Sequence, residues 1–133
     1  MHPFETRTLP PEPTITAPDG SDVRVLVALP RGSMAHFRLD PGRTSAAVEH
    51  RSVEELWYVV GGQAEMWRRQ GAVEEIVLLQ AGTSLSIPVG TRFQFRTVGA
   101  EPFCAVGTTM PPWPGPDEAV LVEGPWRASP AAP

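Results

Sequence analysis

The sequence predicts an all-β fold, a sandwich or barrel of short strands. Three observations carry this. The apolar runs are short and rich in β-branched and aromatic residues. Turn signals separate them at intervals of roughly eight to twelve residues. No helix-length segment shows a 3.6-residue apolar period. The 16 prolines and 12 glycines of the 133 residues are spread as punctuation between the runs.

Taken in order, residues 1–22 read as an N-terminal extension or edge segment, proline-rich through "LPPEP" and closed by the turn "APDG". "VRVLVAL" (23–29) is apolar enough for an edge or outer-sheet strand. "MAHFRL" (34–39) alternates, with Phe37 and Leu39 on one face and His36 on the other. "AAVEH" (46–50) and "LWYVV" (56–60) follow, and "SVEEL" between them can form one helical turn at most. Alternation puts Glu55, Trp57 and Val59 on one face of the second run and Leu56, Tyr58 and Val60 on the other. "AEMWRR" (64–69), "EEIVLL" (74–79), "SLSIP" (84–88), "FQFRTV" (93–98) and "FCAVG" (103–107) complete the series. In "FQFRT", Phe93, Phe95 and Thr97 share a face opposite Gln94 and Arg96. The barrel is expected over residues 23–109. Residues 110–133 form a Pro/Trp-rich C-terminal strap, in which "MPPWP" is extended and Trp113 packs on the barrel or across a dimer.

Composition narrows the function classes. Hydrophobic residues are 41% and charged residues 20%, as in a globular domain. A chain of this size buries a core without disulfides. The net charge of −4 argues against a general nucleic-acid binder, which needs a basic footprint. All eleven basic residues are arginine, so Schiff-base lysine chemistry is excluded. The single cysteine, Cys104, lies in an apolar run without a neighbouring histidine and reads as an inert thiol. No run approaches the roughly 20 apolar residues of a membrane span. The N-terminus lacks the basic start and apolar core of a secretory signal. A cytoplasmic protein without membrane contact is expected.

Two motifs then fall in register. The first is Gly42, five residues, Val48-Glu49-His50, four residues, Glu55, six residues, Gly62. The second is Gly82, five residues, Pro88-Val89-Gly90, two residues, Phe93, three residues, Thr97. Both spacings are those of the two cupin motifs, and over residues 23 to 107 the chain resembles a small single-domain cupin. The resemblance implies a double-stranded β-helix, or jelly-roll, barrel. The tail from "MPPWPG" onward is similar to that of a subset of small bacterial cupins. In metal-dependent members, two histidines and a glutamate of the first motif and a histidine of the second hold a divalent metal. Carried over residue by residue, those positions are Val48, His50, Glu55 and Phe93. Two are ligands and two are hydrocarbon, and the second motif's asparagine is Thr97. The resemblance therefore implies a degenerate metal site.

Two protein ligands fall short of the three that hold catalytic zinc or non-haem iron. No metal site is assigned. If a divalent metal is bound, its ligands are His50, Glu55 and, as an added candidate, His36, whose absolute face alternation alone does not fix. Glu49 and Glu54 should point away from the interior. The expected function is small-molecule binding, with His50 and Glu55 as a metal-independent acid/base pair for a lyase, isomerase or cyclase reaction. Val48, Trp57, Val59, Phe93 and Phe95 are the candidate pocket wall. The alternatives are a metal-dependent (Fe, Mn, Ni or Zn) cupin oxygenase and a non-catalytic binding barrel. Arg92 and Arg96 are candidates to steer an anionic ligand to the barrel mouth. Trp67 is open between core, dimer interface and pocket. The outward Leu56, Tyr58 and Val60 need cover, so the expected macromolecular partner is a second copy of the chain.

Overall fold

The computed structural model describes residues 1–130. The last three residues of the strap segment 110–133 lie outside the described residues. In chain order the strands are β1 (Ile15–Thr16), β2 (Asp22–Leu29), β3 (Gly32–Leu39), β4 (Val48–His50), β5 (Glu54–Gly61), β6 (Gln63–Gln70), β7 (Val73–Gln80), β8 (Ser84–Ile87), β9 (Arg92–Val98), β10 (Phe103–Met110) and β11 (Ala119–Leu121). A 3-10 turn, Pro116–Glu118, precedes β11. The "SVEEL" stretch takes no helical turn. It runs into β5 because Glu55, Trp57 and Val59 must all reach one face.

The strands pair antiparallel in two sheets, ordered β1-β2-β3-β10-β5-β8 and β11-β4-β9-β6-β7. Neighbours in each sheet come from distant parts of the chain, as in a jelly roll. The burial of β5 alternates strictly, exposed at Glu54, Leu56, Tyr58 and Val60 and buried at Glu55, Trp57 and Val59. Strand β9 turns Phe93 and Phe95 inward, and β6 contributes Ala64 and Met66. These side chains meet Leu39, Leu79, Phe103 and Ala105 in one core between the sheets. Each large apolar side chain buried there contributes roughly 1.5–3 kcal/mol.

Aromatic rings organise the centre of that core. Trp57 stacks on Phe37 at 5.2 Å between centroids and meets Phe95 edge-on at 5.2 Å. Phe95 in turn leans on Phe103 at 5.8 Å. Gly107 makes room for the Phe37–Trp57 stack, since a β-carbon there would collide with both rings. Gly62, at φ 67° between β5 and β6, lies against the backbone of Pro102 and Phe103, where no side chain fits.

Short segments towards both ends of the described residues join the sheets. Ile15 and Thr16 pair with Val23 and Asp22. Residues 119–121 pair with 48–50, so the strap adds a strand beside β4. The segment that follows crosses the outer face of the second sheet. The buried Gln94 amide donates to the carbonyls of Ser45 and Trp126 at 2.8 Å each, and its oxygen accepts from the Trp126 N–H. Trp126 lies over the Arg96 guanidinium at 4.2 Å. Trp67 is on this outer face too, buried, with its indole N–H donating to Glu74. It belongs to neither the core between the sheets nor the pocket.

Candidate functional site

The short strand β4 has one job for the site, which is to aim Val48 and His50 inward while Glu49 turns away. Val48 lies directly across from Phe93 on β9. The two hydrocarbon residues are therefore cross-strand neighbours and pack as one apolar pair. His50 sits beyond that pair. Its ring meets Phe93 edge-on at 5.3 Å and Trp113 edge-on at 5.1 Å.

Glu55 reaches the same place from the other sheet, flanked in register by Thr109 on β10 and Ile87 on β8. His50 Nδ1 and Glu55 Oε2 are 3.2 Å apart, and the side chains are 6% and 4% exposed. The contact is close but not angled as a hydrogen bond, and Nδ1 has no other partner among the described residues. Glu55 has one clear donor, the Trp57 indole N–H, at 3.3 Å from Oε1.

Burial dominates the electrostatics. It pushes the Glu55 carboxyl up to about 8, against the Trp57 hydrogen bond and with added repulsion from Asp19. It pulls the His50 imidazole down to about 4, against the attraction of Glu118. Near neutral pH both groups are uncharged and Glu55 carries the extra proton.

The pair opens onto a cavity of about 310 Å³ at one end of the barrel. Val48, Trp57 and Phe93 wall it. Val59 and Phe95 do not. Both are fully buried deeper in the barrel, where they fill the core, so strand alternation placed them on the right face at the wrong depth. The rest of the lining comes from segments outside the two motifs. Ile15, Asp19 and Val23 bring in the β1–β2 hairpin, Phe37 comes from β3, and Pro112 and Trp113 come from the strap. The Trp113 backbone N–H donates to Ser33 Oγ at 3.0 Å and holds the strap at the mouth. A lone tryptophan among prolines was the only sequence signal for this residue. Asp19 gave none, because its turn is remote from both motifs in the chain.

Glu118 was also missed. It is buried behind His50 and accepts from the backbone N–H groups of Ser52 and Val53 and from the Ser52 hydroxyl.

Other candidates lie elsewhere. Phe37 lines the cavity, so His36, its neighbour on β3, is on the opposite face, level with Arg24 and Val106. Burial and the charges of Arg24 and Arg38 lower its basicity. The conditional ligand set of His50, Glu55 and His36 is therefore not assembled. Among the described residues, no three His, Cys, Asp or Glu side chains are grouped to hold a metal. The donors do not fit a cupin metal. Arg92 approaches Glu49, and Arg96 pairs with Glu65 at 2.9 Å under Trp126; neither lines the cavity. Cys104 is a half-buried free thiol beside Arg38, raised by burial. Leu56, Tyr58 and Val60 are about half exposed on the outer face of the first sheet. No helix among the described residues is long and apolar enough to cross a membrane.

Comparison with known proteins agrees with this architecture. The family model described as "Cupin domain" matches residues 35–107, more than half of the chain. A conserved protein with a double-stranded β-helix domain from Klebsiella pneumoniae superposes with a TM-score of 0.63 at 22% identity, over 90% of this chain and 91% of that one. Oxalate decarboxylase from Bacillus subtilis gives 0.69 at 18% identity, over 84% of this chain but only 29% of that one. KdgF from a Halomonas species gives 0.61 at 17% identity, over 69% and 79%. At these identities the likeness is one of fold. No curated protein matches the chain in sequence.

Proposed function

We propose, for a chain that belongs to the cupin domain family, that its barrel binds a small apolar or aromatic molecule and that His50 and Glu55 move a proton on it without a metal. One observation carries this reading: a buried imidazole and a buried carboxyl, 3.2 Å apart, face an apolar cavity of about 310 Å³. An apolar pocket with a few convergent polar groups is the usual form of a small-molecule site. The two groups are pushed in opposite directions, the carboxyl up to about 8 and the imidazole down to about 4. Between those values Glu55 is a proton donor and His50 an unprotonated acceptor, which is how one site divides acid and base roles. Such a pair suits isomerisation, dehydration or cyclisation, and the reaction class proposed is lyase, isomerase or cyclase.

The test is a turnover screen of small carbonyl and hydroxyl compounds by NMR, on protein whose metal content has been measured. Expected is turnover by metal-free protein that falls about 10²–10⁴-fold in His50→Ala and Glu55→Gln. Turnover that survives both substitutions removes the catalytic claim. Binding without turnover leaves a ligand-binding barrel. Stoichiometric metal that disappears in His50→Ala would replace the metal-free reading by the oxygenase alternative.

A further inference from the structure

The cavity combines aromatic walls with acidic groups, and the one basic side chain among the described residues that lines it, His50, is uncharged near neutral pH. Phe37, Trp57, Phe93 and Trp113 line it, and so do Asp19 and Glu55. No arginine among the described residues lines it, and the chain has no lysine. Asp19 spends its Oδ1 on the N–H and hydroxyl of Ser21. Glu55 has only the Trp57 N–H and the unaligned contact with His50. His50 is 6% exposed, and its Nδ1 lacks a hydrogen-bond partner. The missing element is a positive charge that carries hydrogen-bond donors.

We propose that the cavity takes a small organic cation, an ammonium group on an apolar or aromatic body, with Glu55 as its counter-charge. The proposal rests on the small-molecule reading of this cavity and names the ligand class. A protonated primary amine brings three N–H donors, and the free acceptor positions on Glu55 and His50 are where they would be used. Aromatic side chains add attraction to a cation that they do not add to an isosteric neutral group. A carboxylate or phosphate ligand would meet no buried cation, which is costly.

Binding is then linked to a proton. The groups that face Glu55 are His50 from β4, Asp19 from the β1–β2 turn and Trp57 on its own strand, with Glu118 acting on His50 from behind. Burial and the Asp19 charge keep the empty site's Glu55 protonated at neutral pH. An ammonium beside it favours the carboxylate, so the proton leaves to solvent as the ligand enters. With such a ligand bound Glu55 is a proton acceptor, so its proposed acid role holds for neutral ligands only.

Three probes of one shape and different charge decide the matter: 2-phenylethylamine, 2-phenylethanol and phenylacetate. Each is titrated calorimetrically into the wild-type protein at pH 7, in two buffers of different ionisation enthalpy. The amine is expected to bind about tenfold tighter than the alcohol or better, and phenylacetate weaker than both. Proton release accompanies the amine alone, and its affinity rises from pH 6 to 8. Glu55→Gln brings amine and alcohol to similar affinities; Asp19→Asn narrows the gap without weakening the alcohol. An alcohol bound as tightly as the amine, or amine binding without proton release, overturns the cation proposal and leaves the cavity a site for neutral ligands. If none of the three binds, the small-molecule reading falls with it.

Discussion

Glu55 and Glu118 both expose little surface, but Glu55 lies deep in the barrel and Glu118 near its surface, and their surroundings treat them in opposite ways. Burial alone would raise either carboxyl. At Glu118 it is overruled by the N–H groups of Ser52 and Val53, the Ser52 hydroxyl and the nearby His50, and the carboxyl sits below its ordinary value. At Glu55 one indole N–H is too little, and burial prevails. The two acids flank the same histidine. One has its bonding capacity met by backbone and serves as structure; the other is left short and keeps a proton to exchange. Low exposure is thus no guide to role until the depth of each carboxyl and the donors around its oxygens are followed.

The comparison breaks if Glu118 proves dispensable. Glu118→Ala leaves the buried N–H of Val53 and the part-buried N–H of Ser52 without their acceptor and should cost about 2 kcal/mol in urea unfolding.

A second test reads Glu55 directly. Its folded value of about 8 lies above the ordinary 4.5, so the folded state binds the extra proton across that range. Its contribution to stability is intact below about 4.5 and is lost as pH rises through 8. His50, lowered from 6.5 to about 4, acts in the opposite sense, because its penalty fades as pH rises to 6.5. The two offset each other between 4.5 and 6.5. Above that range the wild type should lose about 2 kcal/mol of stability by pH 8, and Glu55→Gln should flatten the decline. A flat wild-type profile would mean that Glu55 is not held protonated.

The smallest effect sharpens the contrast. Trp57→Phe keeps the aromatic body but removes the one N–H that favours the Glu55 carboxylate. It should cost about 1 kcal/mol and move the Glu55 carboxyl titration further up, measured by carbon NMR. A downward move would show that other donors govern this acid.

Much of the architecture was legible because strand burial has a period of two. Along β5 the sequence placed Glu55, Trp57 and Val59 inward and Leu56, Tyr58 and Val60 outward, and the structure agrees. The same rule correctly paired Phe93 with Phe95. It was blind to depth, so it could not separate Phe93 on the cavity wall from Phe95 in the filled core. It also could not choose a face for His36, because alternation fixes relative and not absolute orientation.

By itself, then, the sequence determined an all-β cupin barrel, the inward faces of its central strands, and hydrocarbon side chains, Val48 and Phe93, at two of the motif positions. These are local properties, set by spacing and alternation. Only the tertiary structure decided that Val48 and Phe93 form one cross-strand pair, that Trp113 meets His50 at the cavity wall, that Asp19 lines the cavity, and that Glu118 is satisfied where Glu55 is not. Each of those joins residues tens of positions apart in the chain. Their chemistry depends on which donors and charges packing brings within a few ångströms, and no local pattern encodes that.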